Sequence, residues 1–77
     1  MATFEALRAW RSRRSRDDAV PAYVVAHDST LRAIADAGPT TLAALRRVPG
    51  MGAVKLERYG QEILDQVAAV RSEPSPT

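Results

Sequence analysis

Prolines and glycines cut this chain into pieces that suit short helices and little else. Pro21, Gly38-Pro39, Pro49-Gly50 and Gly52 interrupt it, and the segments between them repeat apolar residues at helical spacing. No segment alternates apolar and polar residues with the period of two that a half-buried strand requires. The expectation is an all-α fold, a compact five-helix bundle.

The segments read as follows. Thr3 is placed to cap a first helix, with Glu5 near the positive end of its dipole. Phe4, Leu7 and Trp10 form its buried stripe, and it runs to about Arg16. Asp17 to Pro21 forms the connection, because Pro21 biases Val20 towards an extended conformation. Tyr23-Val24-Val25-Ala26 suits a strand or a single helical turn by composition, and with no second strand to pair it reads as a short helix or 3₁₀ turn. Asp28 or Ser29 caps a helix from about Thr30 to Ala37, with Leu31, Ile34 and Ala35 inward. Gly38 is its left-handed terminator, and Pro39 prevents continuation. Thr40 or Thr41 caps a piece carrying Leu42, Leu45 and Val48, and the longest helix spans roughly Ala53 to Val70. There Leu56, Tyr59, Gly60, Ile63, Leu64, Val67 and Val70 share one arc, and Arg58 and Glu62 stand at i, i+4 on the other side. Gly60 costs about 1 kcal/mol relative to alanine inside a helix, which implies close approach of a neighbour, expected to be the first helix. The domain is expected over residues 4–70, flanked by an N-terminal tail (1–3) and a disordered C-terminal tail or linker (71–77).

Composition excludes several functions. The 77 residues allow one small domain. With no cysteine and only His27, disulfides, thiolate metal sites and multi-histidine metal sites are excluded, and no cofactor is expected. No apolar run approaches a membrane span, and the N-terminus lacks an apolar signal core. The chain is expected to be a cytoplasmic monomer, nucleoid-associated if bacterial. Asp17-Asp18 is the only adjacent carboxylate pair, but neighbouring helix-end positions point apart, and no catalytic residue is assigned.

Net charge is only +2, yet cations cluster. Five arginines fall within residues 1–18, where most should be solvated and some paired with Asp17 or Asp18. Arg46, Arg47, Lys55 and Arg58 surround the Pro49-Gly50-Met51-Gly52 turn, opposed by Glu57 alone. Two glycines let this turn aim amide N–H groups outward, and the following helix adds its positive dipole end. Gly50, Met51 and Gly52 with Arg46, Arg47, Lys55 and Arg58 are therefore the candidate phosphate contacts, converging on a water-accessible hollow. Tyr23 is the candidate for stacking on an unpaired base. Trp10 and Tyr59 read as core, and His27 as a surface residue.

Four segments, in order, resemble the HRDC (helicase and RNase D C-terminal) domain of RecQ-family helicases, some UvrD-type helicases and RNase D-type nucleases. These are Leu7-Arg8-Ala9-Trp10-Arg11, Val20-Pro21-Ala22-Tyr23-Val24-Val25, Asp28-Ser29-Thr30-Leu31, and Val48-Pro49-Gly50-Met51-Gly52 with Lys55, Tyr59 and Gly60. The resemblance spans about Phe4 to Val70. It implies a non-catalytic five-helix auxiliary domain that helps an ATP-dependent DNA helicase engage single-stranded or structured DNA, or RNA. Arg14 and Ser15 depart from the family, whose first helix is there more often apolar and then alanine, so its last turn is expected to be more solvated and basic. The alternative function is a protein-interaction module docking on the parent helicase's motor domains or a repair partner.

Overall fold

The computed structural model describes residues 2–72. Five helices follow in order: α1 (Ala2–Asp17), α2 (Ala22–Val25), α3 (Asp28–Ala37), α4 (Leu42–Arg46) and α5 (Ala53–Ser72). No strand occurs among the described residues. Helix α1 lies against α2, α3 and α5, and α4 packs on α5.

The core follows the stripes read in the sequence. Leu7 and Trp10 of α1 meet Val25 and Ala26, Leu31 and Ile34 of α3, Leu45 and Val48, Met51, and Tyr59, Ile63, Leu64 and Val67 of α5. Each large aliphatic side chain so buried contributes about 1.5–3 kcal/mol relative to exposure. Trp10 and Tyr59 meet edge to face at 5.7 Å between ring centroids, joining the longest helices through the preferred aromatic geometry. Phe4 is only half-buried and rests on the margin of this cluster.

Helix ends show where local chemistry was decisive. Thr41 caps α4, its hydroxyl accepting from the Ala44 N–H at 3.1 Å. Gly38 terminates α3 at φ +56°, its N–H donating to the Ile34 carbonyl at 2.9 Å. Other ends differ from expectation. Helix α1 begins at Ala2, so Thr3 lies in its first turn and does not cap it. Helix α3 begins at Asp28 with His27 at the cap position and no side-chain cap bond. Arg71 and Ser72 belong to α5, because an Arg71 guanidinium N–H donates to the Gly38 carbonyl at 2.8 Å and ties the last turn to the end of α3. Residues 73–77, the rest of the expected tail, lie outside the described residues, as does Met1.

Gly60 is buried, and the neighbour is α4, not α1. A Cβ there would lie 2.9 Å from Leu42 Cδ2 and 3.3 Å from Leu56 Cδ1.

Candidate nucleic-acid interface

Where each cation goes decides what surface is left for an anion. Two arginines of α1 are held internally. Arg11 donates to the Ala26 carbonyl at 2.9 Å and pairs with Asp28 at 2.6 Å. Arg14 pairs with Asp18 and lies 3.7 Å from Glu62. The Tyr59 hydroxyl donates to the second oxygen of Asp18 at 2.9 Å, and Trp10 Nε1 donates to Glu62 at 3.0 Å. Arg14 thus joins a half-buried polar network between α1 and α5, so the last turn of α1 is less solvated there than expected and this charge is neutralised within the fold. Glu62 faces α1, and the expected Arg58–Glu62 pair does not form.

Titration follows these contacts. Hydrogen bonds from Arg14 and then Tyr59 hold the Asp18 carboxyl below the usual range. The bond from Arg11 does the same for Asp28, helped by the fields of Arg11, Arg8 and Arg32. Burial raises the Tyr59 phenol, and its bond to Asp18 raises it further.

The turn between α4 and α5 is a different environment. Successive bonds from Arg47 N–H to Ala44, Val48 N–H to Leu45 and Met51 N–H to Val48 wind the chain out of α4. Gly50 sits at φ +92°, and a Cβ there would lie 2.2 Å from Thr30 Oγ1, so only glycine fits against α3. Val48 and Met51 are turned into the core. Met51 therefore shapes the turn and offers no side chain to the surface. Leu56 N–H donates to the Gly52 carbonyl, so the amides of Ala53, Val54 and Lys55 precede the first intrahelical bond. No described side chain accepts from them, and no acid stands in the first turn of α5. The positive helix end is left open.

Arg46, Arg47 and Arg58 are exposed and Lys55 half-exposed around this turn. None of the four has a carboxylate partner among the described residues, the ion pairs there being those of Arg11 and Arg14. The expected hollow is instead an open corner, with nothing within 4 Å of a Cβ built at Gly52.

Tyr23 belongs to a separate feature. It is 60% exposed on α2 and stacks on His27, centroids 6.2 Å apart and planes 23° from parallel. The two rings line a depression with Arg11, Ala22 and Asp28. Sequence reasoning took His27 as a surface residue but missed this stack, because His27 lies beyond the C-terminus of α2 and its orientation depends on where α3 begins.

Comparison with known proteins bears on the family and the fold. The HRDC domain profile matches residues 1–67. The chain is 51% identical over 61 residues to the ATP-dependent DNA helicase UvrD2 of Mycobacterium tuberculosis, covering 79% of this chain and 9% of that protein. It is 36% identical over 76 residues to the ATP-dependent DNA helicase RecQ of Pasteurella multocida, covering 95% and 12%. The solved third HRDC domain of Deinococcus radiodurans RecQ superposes with a TM-score of 0.91 at 39% identity, covering 94% of this chain and 95% of that one. The chain therefore spans about a tenth of the length of these helicases.

Proposed function

The chain belongs to the HRDC domain family, a non-catalytic accessory domain of helicases, and we propose that it contacts the phosphate backbone of single-stranded or structured DNA, weakly and without reading base sequence. The parent is an ATP-dependent DNA helicase of UvrD or RecQ type. The contact lies at the Gly50–Gly52 corner, with Arg46, Arg47, Lys55 and Arg58 around the open amides of α5. Tyr23 contributes stacking on an exposed base.

One observation carries this reading. The four corner cations lack internal carboxylate partners while Arg11 and Arg14 are consumed within the fold. Anions gain both from unpaired guanidinium groups and from the positive end of a long helix. Phosphate contacts position a protein without conveying sequence, so discrimination falls on strand structure.

The test is a titration of the domain with single-stranded oligonucleotide at several salt concentrations, followed by amide chemical shifts. Two or three engaged phosphates give a log K against log salt slope of about −1.4 to −2.1. Shifts should centre on Gly50 to Arg58, and Arg46→Ala with Arg47→Ala should flatten the slope. Salt-independent binding, or undisturbed corner amides, removes the proposal.

A second reading, docking on the helicase motor domains or a repair partner, is favoured by the apolar Val54, 68% exposed in the first turn of α5. Binding of the domain to the isolated motor region, lost in Val54→Asp, with no oligonucleotide binding, would establish it instead.

A further inference from the structure

A shallow depression between α1 and the second half of α3 combines an apolar floor with free guanidinium groups. Phe4, Arg32, Ala35 and Asp36 line it, and its volume is about 330 Å³. Phe4 and Ala35 are half-buried, so apolar surface stays open between them. Arg32 holds its guanidinium carbon 4.7 Å from the Phe4 ring centroid, and Arg8 approaches the same ring at 5.8 Å. Both arginines are exposed, and neither has a carboxylate partner among the described residues. Their fields reach Asp28, but its ion pair is with Arg11. Asp36, in the wall of the depression, forms no ion pair among the described residues.

We propose that this depression docks an acidic, apolar peptide segment of a partner protein. One aliphatic or aromatic side chain rests on Phe4 and Ala35, and a neighbouring carboxylate is held by the guanidinium groups of Arg32 and Arg8.

Charge and size select this occupant. Arg8 and Arg32 against Asp36 leave one net positive charge, which suits a carboxylate beside an apolar side chain. The volume is at the lower end of the roughly 300–1,000 Å³ of ligand pockets, so it takes one or two side chains. A carboxylate matches the planar fork of a guanidinium group, and contact with Phe4 restrains that fork before the partner arrives, which lowers the ordering cost. The ring offers little to a nucleic-acid base, because both arginines already lie against it, and Asp36 repels a continuous run of phosphates. The corner at Gly50–Gly52 takes no part, so this site stands or falls apart from the phosphate reading.

The experiment titrates the isotope-labelled domain with the capped peptide Gly-Ser-Asp-Leu-Asp-Ser-Gly and follows amide chemical shifts. One control peptide carries Ala for Leu, and another carries Asn for both Asp. The amide spectra also confirm that each protein variant is folded. The parent peptide should shift the amides of Phe4, Arg8, Arg32, Ala35 and Asp36. Each control should bind about tenfold more weakly, and Arg8→Ala/Arg32→Ala should weaken the parent peptide by a similar factor. Asp36→Asn should tighten binding about two- to threefold by removing a like charge. Arg46→Ala/Arg47→Ala should change nothing.

Equal binding of the Asn peptide, or no loss in Arg8→Ala/Arg32→Ala, overturns the carboxylate contact. Equal binding of the Ala peptide overturns the apolar contact. Undisturbed amides around Phe4 and Arg32 remove the proposal and leave the corner reading as it was. Oligothymidine that displaces the peptide from these residues assigns the depression to nucleic acid and removes the proposal as well.

Discussion

Two positions in this chain form a matched pair for testing how backbone conformation limits stability. Ala19 and Gly38 both follow a helix in the left-handed region, at φ +55° and +56°. After α1 the chain makes a Schellman ending, with Val20 N–H donating to the Ser15 carbonyl at 3.0 Å and Ala19 N–H to Arg16 at 3.2 Å. Glycine is the usual residue at the left-handed position of that motif, and here alanine occupies it. The left-handed conformation costs an L-residue roughly 1–2 kcal/mol. Glycine returns part of this through the greater freedom of its unfolded state, roughly 0.5–1 kcal/mol. Ala19→Gly should therefore stabilise the domain by a net of about 0.5–1 kcal/mol, raising the melting temperature by about 4–8 °C per kcal/mol in a domain of this size. The reverse substitution, Gly38→Ala, should destabilise by at least as much. Its Cβ would also lie 2.4 Å from an Arg71 guanidinium nitrogen and displace the bond from that nitrogen to the Gly38 carbonyl. Thermal unfolding followed by circular dichroism measures both. A lower melting temperature for Ala19→Gly would refute the reasoning, because no side-chain hydrogen bond is lost there to explain it.

Three further outcomes are expected. The folded pKa of Asp18 lies below its unfolded value, so its stabilisation is present above the unfolded value of about 3.9 and is lost as pH falls through the folded one; Asp18→Asn should lower the melting temperature at pH 7 and weaken its fall in acid, leaving the part due to Asp28. Gly50→Ala should destabilise by about 2 kcal/mol or more on chemical denaturation, since it combines strain at φ +92° with a Cβ 2.2 Å from Thr30 Oγ1; an unchanged denaturation midpoint would show that Thr30 yields freely. Trp10→Phe removes the donor to Glu62 and should cost about 1 kcal/mol beyond lost packing, an effect that a double-mutant cycle with Glu62→Ala, which removes the acceptor, would show to be coupled.

Much of the fold was legible because it depends on neighbours in the chain. Thr41 and Gly38 act on groups within four residues of themselves, and such local bonds are written directly into residue order. The stripes of Leu7 and Trp10, Leu31 and Ile34, and Tyr59, Ile63 and Val67 need only the helical period to be recognised as core. The candidate corner is a proposal read from residue order in the same way, since Arg46, Arg47, Lys55 and Arg58 fall within thirteen residues that span one turn and the start of the helix after it.

What residue order could not reveal were pairings between distant helices. Glu62 stands four residues from Arg58, yet it bonds Trp10, 52 positions away, because packing α1 on α5 places that indole N–H within reach. Arg14 reads as a solvated cation and proves to be a neutralised member of an inter-helix network. Gly60 announces a close approach without naming the helix, and His27 announces nothing until Tyr23 is set beside it. The chain alone thus determined which segments are helical and which faces are apolar, since these follow from short-range sterics and periodicity. Only the tertiary structure decided which charges cancel and which remain for a ligand, because a charge's availability depends on every group that folding brings near it.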